Sequence, residues 1–519
     1  MAAVACGDSG DATGSGGGGG GGDAPLTVET DHGPVTGSLV GSTRVFLGIP
    51  FAAPPVGDLR WKPPVPAAAW SDALLATTRG PECPQLDPLS GKYVAIADED
   101  CLTLDVWTPS KTAGSPLPVL VWIHGGGYVL GSGGEGTYDG QRLSEATGAI
   151  VVTMNYRLGP LGFLSLPELD GEDAAHPASG GYGLEDQRAA LAWVKANAAA
   201  FGGDPTRMTA FGESAGGASV CQHLVSKKSR GLFERAIIES GPCDLVATKT
   251  DAQAQGAALT TALGCDGADA LACLRGKTAE EVLGALPLSA DFSGGDGATW
   301  RPVLDGWNLD DVPTTLLDAG DFEVMPTILG TNTDEASLFF VLGATEIPDE
   351  PTLVSFADAF FPGQGQAIVD HYPSADYATP TDAAKAMSTD GGFVCPTRHM
   401  ARALAKGGSA TFLYHFAFDP GSTLLGDLGV YHSSEIRYVF GNPSQLQPMP
   451  LADAELSMNA DMQGYWARLG AAGDPNGEGA VPWPAYGDAD EDLVLDQPVT
   501  TESGHRKAEC DFWDGLLYP

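Results

Sequence analysis

The stretch that decides the fold is residues 208–220, MTAFGESAGGASV. Its apolar first part can form a β-strand and stops at Gly212, and the residues after Gly217 can form a helix. A serine with a glycine two positions before and after it, between a strand and a helix, is typical of a nucleophile elbow. Such a turn strains the serine backbone and exposes its hydroxyl, so the neighbouring positions must lack side chains. Glycine is common in this chain, so the glycine–serine pattern alone is weak evidence. The strand before it and the helix after it favour a nucleophile over a serine in an ordinary turn.

A second glycine-rich segment, HGGGY at residues 124–128, follows directly on the nearly all-apolar run 118–123. Backbone N–H groups can point at a developing oxyanion only where no side chain intervenes. An HGGG segment after a buried strand is the oxyanion-loop pattern of esterases and lipases. Its place upstream of the serine favours this function over a glycine-rich turn.

The surrounding pattern alternates strands and helices, which predicts an α/β fold with a large, mainly parallel sheet. Short strands of an N-terminal meander are expected at 26–30, 34–39 and 44–47. Further strands are expected at 102–106, 118–123, 149–156, 208–211, 235–239, 324–329 and 411–418, with a long helix at 183–201. Residues 243–320 and 340–410 are expected to form helical excursions and loops.

A hydrolytic serine needs a histidine to take its proton and a carboxylate to orient that histidine. In folds with a nucleophile elbow, the serine comes first in the chain, then the acid, then the histidine. The acid and the histidine each follow the end of a strand. Asp334 and Glu335 follow the strand at 324–329, and spacing alone leaves both open as the acid. His432 follows the strand at 411–418 and is the best-placed base. Five histidines follow both the serine and the candidate acid, and the other four are less suitable: His415 lies inside a strand, and His371, His399 and His505 lack a preceding buried strand.

The chain of 519 residues has a formal net charge of −40, spread along its length. Nucleic acid and anionic membranes are therefore not expected as partners, since both would be repelled. The many acidic side chains are interpreted as a solvated surface. No apolar run is long enough for a transmembrane helix.

Residues 1–24 are expected to be a disordered linker, because an unbroken run of glycines fills 16–22 and apolar residues are few. The run AVAC at 3–6 resembles the end of a bacterial lipoprotein signal, although five residues before Cys6 are too few for its apolar region. Two interpretations stay open: a lipid anchor at Cys6, with a truncated or misassigned start, or an unpaired thiol. Residues 25–519 are expected to form a single domain.

The nine cysteines contain no CxxC pair and no Cys/His cluster with zinc spacing, so no metal site is predicted. Disulfides in an oxidising compartment fit better, which favours a secreted, periplasmic or cell-envelope protein. The predicted chemistry needs no cofactor.

Seven ordered motifs resemble the type-B carboxylesterase/cholinesterase family of α/β-hydrolases, from about residue 26 to the C-terminus. They are GIPFAAPPVGDLRW (48–61), EDCLTLDVWTP (99–109), WIHGGG (122–127), NYRLGPLGFL (155–164), FGGDPTRMTAFGESAGGASV (201–220), TNTDEAS (331–337) and HSSEIRYVFG (432–441).

The resemblance implies roles that spacing could not assign. The catalytic residues would be Ser214, Glu335 and His432, with oxyanion donors at the N–H groups of Gly126, Gly127 and Ala215, and Glu213 as a charge beside the nucleophile. It implies the disulfides Cys83–Cys101, Cys265–Cys273 and Cys395–Cys510, which leaves Cys221 and Cys243 as free thiols. It also implies two buried ion pairs, Arg60–Glu99 and Arg157–Asp186.

Departures from the family pattern narrow the expected substrate. Cholinesterases bind the quaternary ammonium on a tryptophan in the first disulfide loop, but residues 84–100 contain none, so choline esters are disfavoured. That loop is also short, which argues against the large lid of some fungal lipases in the family.

Together these patterns predict a serine hydrolase that cleaves carboxylic esters through an acyl-enzyme on Ser214. Two alternatives are a lipase acting on longer-chain acylglycerols and a catalytically silent adhesion or binding protein of the same fold. The intact triad and glycine loop favour an enzyme.

Overall fold

The computed structural model describes residues 22–87, 90–288 and 298–518. The expected linker and the candidate lipid anchor at Cys6 lie mostly outside these ranges, so the division into residues 1–24 and a single domain from 25 to 519 stays a prediction. None of the described helices combines the length and apolar character that crossing a membrane requires.

An 11-stranded sheet forms the centre of the α/β fold. From one edge to the other its strands are Thr500–Ser503, Glu491–Leu495, Thr411–Phe416, Thr327–Asn332, Arg235–Glu239, Gly203–Glu213, Leu117–Ile123, Ile150–Met154, Thr103–Pro109, Thr43–Pro50 and Ser38–Val40. The strands from Glu491–Leu495 to Ile150–Met154 pair in parallel, and the outer strands on both sides pair antiparallel. The predicted mainly parallel α/β sheet is confirmed.

Two smaller sheets accompany it. The first contains Thr27–Thr30, Gly33–Thr36 and Leu74–Leu75, and the second pairs Ala247–Thr248 with Val303–Leu304. The helices are Gln141–Thr147, Gly159–Phe163, Pro167–Asp170, Tyr182–Phe201, Ala215–Val225, Lys249–Ala262, Ala270–Arg275, Ala279–Gly284, Pro313–Asp318, Ser337–Leu342, Glu350–Phe360, Gly365–His371, Pro380–Thr389, Cys395–Lys406, Ile436–Phe440, Leu456–Ala472 and Lys507–Leu517.

The central strands are apolar on both faces because helices cover both. Alternate residues of one strand enter different cores: Trp122 packs with Phe211 and Trp466 on one side, while Val121 and Ile123 enter the core on the other. A third apolar cluster lies among helices of the excursion after residue 336 and includes the C-terminal Trp513. The parallel strands therefore bring their carboxyl ends to one rigid edge, where the candidate site lies.

The structure contains the three disulfides that the resemblance implied, Cys83–Cys101, Cys265–Cys273 and Cys395–Cys510. The expectation of free thiols at Cys221 and Cys243 is wrong, because these residues form a fourth disulfide. Cys221 lies on the helix after Ser214 and Cys243 in the loop after Arg235–Glu239, and their Cα atoms are 5.5 Å apart. The disulfide ties these two segments together beside the serine turn, and four disulfides are consistent with an oxidising compartment.

Both expected ion pairs are present. Arg60 Nε donates to Glu99 at 2.8 Å, but the Glu99 side chain is 16% exposed, so this pair is only partly buried. Arg157 makes a two-pronged contact with Asp186, with Nε–Oδ2 and Nη2–Oδ1 distances of 2.7 Å, and both side chains are buried. The backbone N–H of Arg157 also donates to Asp186, so this carboxylate fixes the segment after strand Ile150–Met154.

We expect Asp186→Ala to lower the free energy of unfolding by about 3–5 kcal/mol, because it leaves the buried Arg157 guanidinium without its counter-charge. Chemical denaturation measures this change. Asp511→Ala is the control, since the Lys507–Asp511 pair is exposed and should change stability little. Equal stability of the two variants would contradict a buried structural role for Asp186.

Candidate active site

Ser214 occupies the turn between strand Gly203–Glu213 and helix Ala215–Val225, with φ 57° and ψ −124°. A Cβ on Gly216 would lie 2.0 Å from the carbonyl oxygen of Ile123, and one on Gly212 would lie 2.6 Å from the same atom. No side chain fits at such distances, so the turn requires glycine on both sides of the serine. The strained conformation expected from the sequence is present.

Glu335 and His432 meet at the same edge of the sheet. Glu335 follows strand Thr327–Asn332, and its Oε2 lies 2.6 Å from His432 Nδ1. Its Oε1 accepts hydrogen bonds from Ser240 Oγ at 2.5 Å and from the backbone N–H of Asn332 at 2.8 Å. The carboxylate is fully buried, so these donors fix its orientation toward the imidazole.

Asp334, the other acid that spacing left open, points elsewhere. Its carboxylate accepts from the backbone N–H of Val430 at 2.9 Å, and its own N–H donates to the Val430 carbonyl. Asp334 therefore joins the two loops that carry Glu335 and His432, while Glu335 alone of the two contacts the imidazole.

Glu213, next to the serine, also contacts the histidine: its Oε1 lies 2.9 Å from His432 Nε2. Across the described residues, no hydrogen bond joins Ser214 Oγ to this nitrogen. The ring is held between two carboxylates and is flanked by Phe393, with ring centroids 5.0 Å apart. Sequence reasoning placed Glu213 beside the nucleophile but gave no sign of its contact with the base.

The electrostatic setting changes the expected titration of His432. Burial alone would lower its pKa, but the charges of Glu213 and Glu335, and their hydrogen bonds, outweigh burial and raise the pKa well above its usual range. An unperturbed imidazole has a pKa near 6.5. In this structure the neutral, proton-accepting form is favoured only at higher pH.

The glycine loop lies against the serine turn. A Cβ on Gly125 would come within 3.1 Å of the Ser214 Cβ and 2.8 Å of a Glu213 carboxylate oxygen. Gly126 and Gly127 have φ values of 101° and 61°, which favour glycine. In the described part of the chain, the N–H groups of these two glycines and of Ala215, the first residue of its helix, donate to no protein acceptor. These groups can receive an oxyanion.

The residues His124 and Tyr156 support this loop. The imidazole Nδ1 of His124 lies 2.8 Å from the carbonyl oxygen of Gly125, and the Tyr156 hydroxyl donates to the carbonyl of His124 at 2.9 Å. Burial lowers the pKa of His124 to about 4, so this histidine is neutral and supports the loop by packing and hydrogen bonding.

Two further buried carboxyl groups lie beneath the site and were not predicted. Glu239 accepts from Trp466 Nε1 at 2.8 Å, and burial, with the charge of Glu213, raises its pKa to about 8. Glu435 accepts from Asn332 Nδ2 at 2.5 Å, and burial, followed by the charges of the neighbouring glutamates with Glu213 first, raises its pKa well above the usual range. Glu239 is therefore mostly protonated near neutrality, and Glu435 holds its proton more tightly than an ordinary glutamate, so both add less negative charge beside His432 than two free carboxylates would.

The remaining histidines have partners away from this edge. His223 contacts Ser229 and Gln187. His371 stacks on Phe512, His399 contacts Asp318, and His415 and His505 both contact Glu502. Of the histidines that follow Ser214, only His432 lies between Glu213 and Glu335.

If neutral His432 is the base, activity is lost as pH falls through its raised pKa. We expect Glu213→Gln to move the acidic limb of the kcat/KM profile to lower pH by about one unit or more, because it removes a carboxylate charge that favours the imidazolium. Asp334→Asn is the control: it also removes a nearby negative charge, but Asp334 bonds to the N–H of Val430 and does not contact His432, so the limb should move much less. Coincident profiles for wild type and Glu213→Gln would contradict the role of Glu213.

Comparison with known proteins shows that almost the whole chain is similar to esterases. The model of the carboxylesterase family matches residues 24–513. The chain is 36% identical to para-nitrobenzyl esterase of Bacillus subtilis over 92% of this chain and 96% of that protein. It is 34% identical to acetylcholinesterase of Bungarus fasciatus, covering 95% and 86% of the two chains. It is 35% identical to carboxylesterase 1E of Mus musculus, covering 95% and 94%. A solved structure of a PNB esterase superimposes with a TM-score of 0.83 at 34% identity, covering 96% of this chain and all of the other.

Proposed function

The chain belongs to the carboxylesterase family of carboxylic-ester hydrolases, and from this premise we propose that Ser214 is the nucleophile that carries the acyl group. The observation that supports this proposal best is the contact between Glu335 and His432 beside the strained Ser214 turn. A carboxylate that fixes Nδ1 leaves Nε2 as the nitrogen able to accept a proton.

In the first half-reaction His432 takes the Ser214 proton as the hydroxyl attacks the ester carbonyl. This requires Nε2 to exchange its contact with Glu213 for one with Ser214 Oγ. Catalytic hydrogen bonds often shorten only when substrate is bound. The N–H groups of Gly126, Gly127 and Ala215 stabilise the negative charge on the former carbonyl oxygen.

The tetrahedral intermediate then collapses, the ester C–O bond breaks, and the imidazolium gives its proton to the departing alcohol. Water enters, loses a proton to His432 and attacks the acyl-enzyme. A second intermediate forms in the same cradle of N–H groups and releases the acid and Ser214.

Covalent capture tests the nucleophile. The enzyme is treated with a fluorophosphonate, which phosphonylates activated serines, and the modified peptide is located by mass spectrometry. We expect one label, on Ser214, together with loss of activity. The buried serines Ser219 and Ser240 lie close by, on the helix after Ser214 and after strand Arg235–Glu239. A label on either one with Ser214 unmodified would overturn the proposal.

We propose uncharged esters as the substrates, because residues 84–100 contain no tryptophan to bind a quaternary ammonium. A series of p-nitrophenyl esters from two to sixteen carbons would place the acyl limit. Rates compared below and above substrate solubility would separate an esterase from a lipase.

We propose a secreted or cell-envelope location, supported by the four disulfides. Lipidation at Cys6 remains part of this proposal. Mass spectrometry of the native protein tests it, and an unmodified Met1 would exclude the anchor.

A further inference from the structure

Far from Ser214 in sequence, two histidines and two carboxylates converge at the antiparallel edge of the large sheet. His415 lies in strand Thr411–Phe416 and Glu502 in the edge strand Thr500–Ser503. His505 follows in the turn before the C-terminal helix. Asp492, on the strand between the first two, is directly opposite Glu502 in the register.

The register places these strand residues on one face of the sheet. His415 pairs with Val494, and Asp492 lies two residues from Val494, so the side chains of His415, Asp492 and Glu502 share a face. Glu502 Oε1 lies 3.1 Å from His415 Nδ1 and 3.0 Å from His505 Nδ1. The two imidazole rings stack with their centroids 3.9 Å apart.

The ligand atoms of His415, Glu502 and His505 all lie within 4.8 Å of one another. Among the described residues, these form the one group of three or more His, Cys, Asp or Glu side chains with such spacing. Ligands of a tetrahedral zinc ion, with bonds of about 2.0–2.2 Å, are separated by comparable distances. Bonds of about 2.1 Å in a tetrahedron place the ligand atoms about 3.4 Å apart, close to the 3.0 and 3.1 Å separations of the two Glu502 contacts.

Asp492 supplies an independent sign that a cation belongs here. Asp492 is 1% exposed, and neither oxygen of its carboxylate receives a hydrogen bond from the described part of the chain. Its cross-strand neighbour Glu502 is also acidic, and two carboxylates in direct opposition repel each other. The guanidinium of Arg398, whose Nη2 donates to Asp490 at 2.5 Å, lies near enough for its charge to act on Asp492, but it gives that carboxylate no hydrogen bond. A buried carboxylate without donors is expensive unless a cation or a proton neutralises it.

We propose that His415, Glu502 and His505 bind a divalent transition-metal ion, best matched by Zn²⁺, with Asp492 as the neighbouring carboxylate that balances its charge. Imidazole nitrogen with carboxylate oxygen is a donor set that zinc accepts, whereas magnesium and calcium prefer oxygen alone. Sequence spacing predicted no metal site because His415 and Glu502 are 87 positions apart.

The position indicates a structural role for this ion. His415 Nε2 contacts Thr333 Oγ1 at 2.8 Å, an outer partner of the kind that orients a metal-bound imidazole. The ion would join the strand Thr411–Phe416 to the edge strand and to the start of helix Lys507–Leu517. That helix also carries Cys510 of the disulfide to Cys395, so metal and disulfide would hold the C-terminus at two points.

Direct binding tests the proposal without relying on activity. The full chain is treated with EDTA, dialysed and titrated with ZnCl₂ by calorimetry, and separately with CoCl₂ for the absorption bands of tetrahedral Co²⁺. We expect one saturable site, a higher Tm with Zn²⁺, and tetrahedral Co²⁺ bands. His505→Ala and the conservative Glu502→Gln should each weaken binding by about 100-fold or more, because even outer-shell partners are worth roughly 10–100-fold.

Two variants control for other histidine–carboxylate contacts. His32→Ala removes a histidine that pairs with Asp31 at 2.7 Å without a second histidine, and His432→Ala removes the histidine beside Ser214. Both should keep full Zn²⁺ affinity. The proposal is overturned if wild type shows no saturable binding, if Glu502→Gln and His505→Ala bind as wild type does, or if His432→Ala abolishes binding. In each case hydrogen bonds alone hold the cluster together.

Discussion

Ser214→Ala is expected to reduce kcat for a p-nitrophenyl ester on the order of 10⁵- to 10⁶-fold, the loss seen when a hydrolytic serine is removed. The reason is that no other group can form the acyl-enzyme: His432 would have only water to activate. The oxyanion donors remain, so a residual rate above the uncatalysed reaction is expected. Steady-state kinetics at a pH above the acidic limb measure the effect.

Ser219→Ala is the matched control for this substitution. Ser219 lies on the same helix and is fully buried, and its hydroxyl donates to the carbonyl of Ala215 at 2.8 Å. Its loss should change kcat by less than about tenfold, since it makes no contact with reacting atoms. Circular dichroism and Tm would show that both variants are folded. A Ser214→Ala enzyme that kept a tenth of wild-type activity would contradict the proposed nucleophile.

The fold was largely predictable from the sequence, because buried parallel strands are continuous apolar runs and the long helix has a regular period. The differences arise from tertiary context. The single strand expected at 34–39 is two, Gly33–Thr36 and Ser38–Val40, in different sheets. Gly37 makes the transition, where a Cβ would lie 2.4 Å from the Val45 carbonyl oxygen. The strand expected at 324–329 begins only at Thr327, after Pro326, which has no N–H for the ladder.

The candidate site was predictable where its signal is local. The serine turn and the glycine loop each need glycine for steric reasons that a short segment displays. Asp334 and Glu335 are adjacent, so only the three-dimensional course of the loop separates them. The Glu213–His432 contact, the Cys221–Cys243 disulfide and the cluster around Glu502 all depend on distant segments that meet in the fold. Contacts between segments that are far apart in the sequence leave no local sequence pattern from which they could be predicted.

Glu335→Gln is expected to lower kcat by about 10³- to 10⁴-fold, the scale found when the acid of a serine triad becomes an amide. The hydrogen bonds of Glu335 explain why. Its Oε1 accepts from Ser240 Oγ and from the N–H of Asn332, so the glutamine oxygen takes that position. The NH₂ group then faces His432 Nδ1, which must become the acceptor. The proton therefore moves to Nε2, and the imidazole cannot take the Ser214 proton.

Asp334→Asn is the matched control, an identical change of charge one residue earlier. It weakens a contact to the N–H of Val430 but leaves the imidazole tautomer unchanged, so kcat should fall by less than about tenfold. Because Glu335→Gln also removes a charge that raises the pKa of His432, its remaining activity should persist to lower pH than that of the wild type. Equal losses of kcat in the two variants would mean that the carboxylate acts on the loop rather than on the imidazole, and the assignment of Glu335 as the orienting acid would be lost.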